Sequence, residues 1–350
     1  MRVLHMPVNT ASIAYTTVHE LRRQRIDAQA IVFESNVVQS FDGLRVIKLG
    51  NKRQPLQALK GILEFGFAVW EYVRIAKPDV IHWYYSGSAA TLNTDLHLLR
   101  ALGVPGLVEW AGADIRIPEI EFAENPYYTA VFNQGYEYRR FESQADSRAR
   151  QQRFADLGFA SLAATGLLQY VQQDIFPQIY RLEQRLDLTS FVPCYPLPTQ
   201  TRPLIVHSPT APVTKGTAAV LKAIEVLRDQ YEFDFQLVKG VPRQTALGMM
   251  QKADIFLDQF VLGDRGLAAL EAMAYGKPVV CYLKPSLVRA YPADLPIVNA
   301  SQDTLITVLA DLLVDGKRRR ALGEQGRAYV EQHHAASHII PQLIDIYHTL

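Results

Sequence analysis

Cysteine is scarce in this 350-residue chain: Cys194 and Cys281 stand alone, with no CxxC pair and no zinc-type spacing. A disulfide-stapled scaffold is therefore excluded, and both residues read as small apolar packing groups suited to a reducing compartment. Long apolar runs are missing too. The opening MRVLHMPVNT holds no stretch long enough for a secretory leader, and no segment approaches the ~20 apolar residues of a membrane-spanning helix. The longest charge-free stretch, Leu157–Gln173, is interrupted by Gly, Ser, Thr and Gln. Neither sign of charge is in excess. Lys and Arg number 36 and Asp and Glu 35, a formal net charge of +1, so no global field draws in nucleic acid or an anionic surface. Internal repeats and low-complexity tracts are also lacking. The expectation is a soluble cytoplasmic protein with no nucleic-acid partner, and with peripheral contact at the inner face of the membrane as an open alternative.

What is present looks globular: 49% hydrophobic and 20% charged residues. The length suggests two domains and a core large enough to need no metal or disulfide. Short β-rich runs alternate with longer helical patterns. Strands are expected at Arg2–Met6, Ala28–Phe33, Asp79–Trp83 and Gly106–Trp110, with helices at Ala11–Arg25, Leu56–Ala76 and Ala89–Leu102. The second half repeats the scheme. Its strands are Leu204–His207, Phe233–Val238, Asp254–Leu257 and Pro278–Tyr282. Its helices are Thr217–Gln230, Arg243–Lys252, Leu267–Tyr275, Gln302–Leu313 and Arg318–Thr349. Strand and helix alternating at this spacing predict parallel sheets covered on both faces. Between the halves, Val192–Pro203 carries four prolines in twelve residues and reads as an extended connector.

The fold class predicted is α/β, with two Rossmann-like doubly wound parallel-sheet domains facing a cleft. An acceptor-side domain is expected over 1–195, a nucleotide-binding domain over 204–325, and a terminal helix over 326–350 crossing back to the first domain. In such sheets ligands bind beyond the carboxyl ends of the strands. His5, His82 and His207 fall at or near predicted strand ends, as ligand-facing or as hydrogen-bonded structural residues. Leu56–Ala76, rich in Phe, Trp and Tyr, suits either a sheet cover or a lipid interface, with Arg22, Arg23 and Arg25 as further cations. Lys317–Arg320 reads as a solvated basic face, with membrane or polyanion contact as the alternative.

The most informative stretch is Ala253–Tyr282. A strand ends near Leu257, a loop with Gly263 and Gly266 follows, and a helix begins at Leu267. A glycine loop entering a helix N-terminus offers free amides and the positive end of the helix dipole, which suits phosphate. Gly266-Leu267, then Leu270-Glu271-Ala272-Met273-Ala274 and Gly276-Lys277-Pro278-Val279-Val280, resemble the nucleotide-sugar site of family 4 glycosyltransferases of the GT-B fold. Upstream, Leu204–Pro209 followed by Thr214-Lys215-Gly216-Thr217 resembles that family's Lys-Gly element. Gln236–Pro242 is similar to the turn that holds the base, and Trp110–Arg116 to a short loop on the acceptor side.

The resemblance implies that Lys215, Arg265 and the Gly266–Leu267 amides meet the donor diphosphate. Glu271 would hold the ribose, Gly240 and Val241 the base, and His207 would stand nearby. It places the acceptor by Asn9, Asp114 and Arg116, with Asp114 and His82 as candidate catalytic groups. No cofactor is implied beyond a UDP- or GDP-linked sugar as substrate. No metal is expected either, and no Asp-x-Asp pair is placed to hold one. The acceptor would be a glycan, a lipid-linked molecule or a small molecule, and transfer would retain anomeric configuration.

Four departures accompany the match. Gly263 stands where the family carries the first of two glutamates, with Asp264 beside it. Thr210–Val213 lacks the usual Arg, Trp110–Arg116 lacks the usual His, and Asn9-Thr10-Ala11-Ser12 replaces a glycine-rich loop. Two alternatives to transfer follow: a binding or regulatory module on the same scaffold, a view that restoration of activity by Gly263→Glu would support, and a nucleotide-sugar epimerase.

Overall fold

The computed structural model describes residues 1–34, 41–48, 55–85, 96 and 103–350. In chain order the first half runs β1 (Arg2–Met6), α1 (Ile13–Arg23), β2 (Asp27–Phe33), β3 (Arg45–Ile47), α2 (Pro55–Ala76), β4 (Val80–Tyr84), β5 (Gly106–Glu109), α3 (Pro118–Phe122), α4 (Pro126–Gln134), α5 (Gln144–Ala155), β6 (Ala160–Ala163) and β7 (Ile179–Arg181). The second half begins β8 (Leu204–His207), α6 (Pro212–Lys215), α7 (Thr217–Arg228), β9 (Asp234–Leu237), α8 (Arg243–Lys252), β10 (Ile255–Leu257) and α9 (Leu267–Ala274). It ends β11 (Val279–Cys281), α10 (Pro285–Ala290), β12 (Val298–Asn299), α11 (Leu305–Val314), α12 (Gly316–His333) and α13 (Ala336–His348). The helix expected at Ala89–Leu102 lies outside the described residues but for Leu96.

Two compact units result. One comprises Met1–Ile117, Phe141–Arg185 and Ala336–Leu350, the other Pro118–Arg140 and Leu186–Ala335. Residues 118–140 and 186–195, within the span expected for the first domain, pack with the second unit, as do 326–335 from the terminal span.

Among the described residues the first unit holds a seven-stranded parallel sheet in the order β3-β2-β1-β4-β5-β6-β7. Its central strands are buried on both faces, so Val3-Leu4, Val80-Ile81 and Leu107-Val108 are consecutive apolar pairs rather than alternating ones. The last helix returns to this unit: Ile339, Ile340, Leu343 and Tyr347 share one apolar cluster with Val3, Val18 and Leu107. The single helix expected over Arg318–Thr349 is in fact two. His334 closes α12 with φ −135°, its carbonyl accepts from the Leu186 amide at 2.8 Å, and Ala335 bridges Leu186. Pairing with residue 186 takes the backbone group that would have continued the helix.

Helix α2 buries Phe65, Ala68, Val69, Tyr72 and Val73, and contacts β2 and β3. Its other side leaves Leu59, Leu63, Phe67 and Trp70 exposed. No helix among the described residues is long and apolar enough to cross a membrane.

The second unit's sheet has the order β12-β11-β10-β8-β9 among the described residues, all pairs parallel. Successive residues feed opposite layers. Val206, Phe256 and Val279 join one core with Leu270 and Met273 of α9, while Ile205, Leu257 and Val280 join another with Val220, Ile224 and Leu309. This two-faced burial is what the apolar strand runs require. Segment 118–140 adds Tyr127, whose ring meets Tyr282 edge-on at 5.0 Å. Cys281 is buried and Cys194 exposed, both as free thiols.

Candidate functional site

Strands β8 and β10 are neighbours, and their carboxyl ends release two loops that meet. Gly216, at φ +70°, ends α6 and lets the chain restart as α7. The Phe260 amide donates to the Lys215 carbonyl at 3.2 Å, tying the loops together. Lys215 Nζ lies 2.5 Å from Asp258 Oδ1, and Asp258 Oδ2 accepts from the Gly266 amide at 2.6 Å. A Cβ on residue 266 would stand 2.8 Å from Lys215 Nζ and 3.1 Å from Asp258 Oδ2, so only glycine lets ammonium, carboxylate and loop close on one another.

Glu271 lies in the second turn of α9, buried, and accepts from Arg243 Nη2 at the start of α8. Burial pushes its carboxyl up, and the charges of Arg243 and Lys215 pull against that rise. Two cations, Lys215 and Arg243, thus alternate with two carboxylates, Asp258 and Glu271, beside the N-terminus of α9. An incoming diphosphate could take the ammonium from Asp258, and a vicinal diol could take Glu271 as acceptor. Lys215, Gly266, Leu267 and Glu271 are therefore brought together. Asp258 and Arg243 escaped the sequence reading. An acid directly after a buried strand was the available signal for the first.

Other expected donor residues fall differently. Gly240, at φ +70°, and half-buried Val241 form the β9–α8 turn, just before Arg243. His207 is fully buried, with Nδ1 2.9 Å from the Leu257 carbonyl and Nε2 3.0 Å from Thr217 Oγ1. Both ring nitrogens serve the fold, and burial brings its pKa down to about 4. Arg265 is buried, its guanidinium 4.7 Å over the Tyr291 ring and 3.5 Å from His334 Nε2. The second cation beside Glu271 is Arg243. Asp264 Oδ1 accepts from Tyr291 Oη at 2.5 Å and from the Arg265 amide at 2.7 Å. At Gly263 φ is +69°, and a Cβ would stand 2.9 Å from Lys284 Cβ and 3.1 Å from Asn125 Nδ2. The side chain of a Gly263→Glu substitution therefore has no room there without displacing Lys284 and Asn125.

In the first unit the acceptor-side candidates are held by local bonds. Asn9 is fully buried, and its Oδ1 accepts from the Tyr15 amide at 3.0 Å. Asp114 Oδ1 accepts from the Gly112 amide at 2.7 Å and the Ala111 amide at 3.1 Å, and burial raises its carboxyl to about 6. Arg116 pairs with Glu142 at 2.5 Å. His82 is fully buried in a polar core network. Its Nδ1 lies 2.6 Å from Tyr347 Oη and its Nε2 3.0 Å from Glu109 Oε2. Arg185 grips Glu109 bidentately at 2.9 and 2.8 Å and donates to Thr17 Oγ1 at 2.6 Å. Burial opposes ionisation of Glu109, yet Arg185 and His82 hold it down at about 2. Among the described residues no group of three or more His, Cys, Asp and Glu side chains is arranged to hold a metal ion.

No family model matches this sequence, and no curated protein does either. Solved structures do. Sucrose-phosphate synthase from Thermosynechococcus elongatus matches at 15% identity and TM-score 0.63, over 100% of this chain and 99% of that one. Anabaena HepE in complex with UDP and glucose matches at 12% and 0.61, over 100% of both chains. WaaG, a glycosyltransferase involved in lipopolysaccharide biosynthesis, matches at 13% and 0.60, over 99% of both. Full-length likeness at such low identity establishes the fold: this chain has the GT-B architecture of two parallel-sheet α/β units.

Proposed function

We propose that the protein is a glycosyltransferase that binds a nucleotide sugar in its second unit. The observation that carries this reading is the Lys215–Asp258–Gly266 contact at the N-terminus of α9, with Glu271 and Arg243 alongside. Lys215 and the α9 amides take the donor diphosphate, and Glu271 takes the ribose hydroxyls. During transfer the bond from the anomeric carbon to the diphosphate oxygen breaks, a bond to the acceptor oxygen forms, and the acceptor hydroxyl's proton leaves with the departing diphosphate. Negative charge gathers on the leaving nucleotide, where a fixed ammonium and a helix N-terminus stabilise it most. No metal is needed for that task, and retention of configuration is proposed with it. The acceptor is assigned to the first unit, near Asp114 and Asn9. That UDP-glucose is held in a HepE crystal supports a uridine-linked donor. Exposed Leu59, Leu63, Phe67 and Trp70 of α2 are where a peripheral lipid contact would form, which flotation with anionic liposomes decides.

Calorimetric titration with UDP, GDP and their glucose conjugates tests the donor reading. Wild-type protein is expected to bind one diphosphate series, with affinity lowered at least ~10-fold in Lys215→Ala and in Glu271→Ala, the size of one lost charge-assisted contact. Absence of binding at millimolar nucleotide would overturn it. A binding module that has lost turnover is the second reading, favoured by the closed space at Gly263. Donor hydrolysis or transfer with an acceptor extract excludes it.

A further inference from the structure

Both loops of the candidate site are held from one side by a segment that the chain supplies from far upstream. Glu137 reaches α6: its Oε1 accepts from the Val213 amide at 2.8 Å, and its Oε2 from the Thr214 amide at 3.0 Å and Thr214 Oγ1 at 2.7 Å. Lys215 is the next residue. Asn125 reaches the other loop, where its Nδ2 donates to the Val261 carbonyl at 2.9 Å. Glu121 Oε1 lies 2.5 Å from Lys284 Nζ, with both side chains fully buried, and Glu124 Oε1 lies 3.1 Å from the same ammonium. The Lys284 amide in turn donates to the Gly263 carbonyl at 2.9 Å. Each of these contacts lies within the second unit.

Loops that deliver an ammonium and an amide to one anion must be fixed to a few tenths of an ångström, and loops alone seldom achieve that. We propose that Pro118–Arg140 is a brace for the site. In it Glu137 positions the Lys215 loop, while Asn125 and the Glu121–Lys284 pair position the Val261–Gly266 loop. These are positioning residues and touch no substrate. The proposal rests on the donor-binding reading for its functional consequence, while the brace itself is a property of the ligand-free protein.

The test uses the full chain with Glu137→Ala, Glu137→Gln and Asn125→Ala. Hydrogen exchange on the ligand-free protein reads the brace. Glu137→Ala is expected to speed exchange over 211–216 at least ~10-fold while α7 and β8 keep wild-type protection, and Asn125→Ala to do the same over 261–266. Titration with UDP or GDP, whichever wild-type protein binds, reads the consequence. Affinity is expected to fall about 10-fold in Glu137→Ala, with the ligand-free melting temperature unchanged, and to recover only in part in Glu137→Gln, whose one amide oxygen still accepts on the Thr214 side while its NH2 cannot accept from Val213. Unchanged exchange in Glu137→Ala overturns the brace, as does faster exchange with wild-type affinity. If Asn125→Ala does not fold, the two Glu137 variants decide alone. Should wild-type protein bind no nucleotide diphosphate, the donor reading falls and the exchange data judge the brace.

Discussion

Gly263 and Gly266 stand three residues apart and are glycine for different reasons. Gly266 has ordinary extended backbone, and its missing Cβ makes room for Lys215 and Asp258. Gly263 is left-handed and pressed against Lys284 and Asn125. Gly266→Ala is therefore expected to leave the fold within about 1 kcal/mol of wild type while moving Lys215 and lowering nucleotide affinity, because an ammonium on a flexible stem can step aside. Gly263→Glu is expected to cost on the order of 3 kcal/mol from backbone strain and overpacking, seen in urea denaturation, with no gain in activity.

Acid should weaken the fold through its histidines. Burial lowers the pKa of His5, His82 and His207, the last to about 4, against 6.5 for a solvated imidazole. The unfolded chain then takes protons first as pH falls. Stability is complete above about pH 6.5 and is lost toward pH 4, on the order of 3 kcal/mol for His207 alone. Asp114, raised to about 6, takes its proton first in the folded state and offsets part of that loss. Urea denaturation at pH 7.5 and 5.0 should show the decline, deeper in Asp114→Asn, whose amide oxygen can still accept from Ala111 and Gly112. A flat profile in both proteins would contradict the assignment. That Lys215, Gly266 and Glu271 lie near one another was legible because a motif keeps them at fixed spacing. Glu109 and Arg185 were not, since 76 positions separate them and no local pattern ties them.

At the scale of elements, periodicity and burial did most of the work. β1, β8 and α8 end where their apolar patterns and turn residues end. β3, β6 and β7 escaped notice. They have three or four residues each, and their strand character comes from neighbours in the sheet rather than from their own composition. The break between α12 and α13 was equally invisible, since residue 186 imposes it. Tyr347 holds α13 to its sheet through His82. Tyr347→Phe leaves a buried imidazole nitrogen without that partner and should cost about 1–3 kcal/mol in chemical denaturation, whereas loss of an exposed hydroxyl would cost nothing measurable.

For the molecule as a whole, composition marked the proline-rich stretch at 192–203 as a connector between halves, but that stretch packs within the second unit, and the exchange of segments between units left no compositional trace. Domain boundaries read from sequence assume contiguous stretches, and Pro118–Arg140 is contiguous with the wrong neighbours. A fragment covering 204–325 should consequently fail to fold cooperatively, because Lys284 would keep its buried place and lose both carboxylates, a defect worth about 3–5 kcal/mol. Adding 118–140 as a separate peptide is expected to recover part of the unfolding transition, which circular dichroism would detect.

The Glu121–Lys284 pair spans 163 positions of the chain. A lineage that altered one member would be under pressure to alter the other, so the two halves of this protein cannot drift, recombine or be shuffled as independent cassettes. Among descendants, charge at these two sites should be inherited jointly or lost jointly.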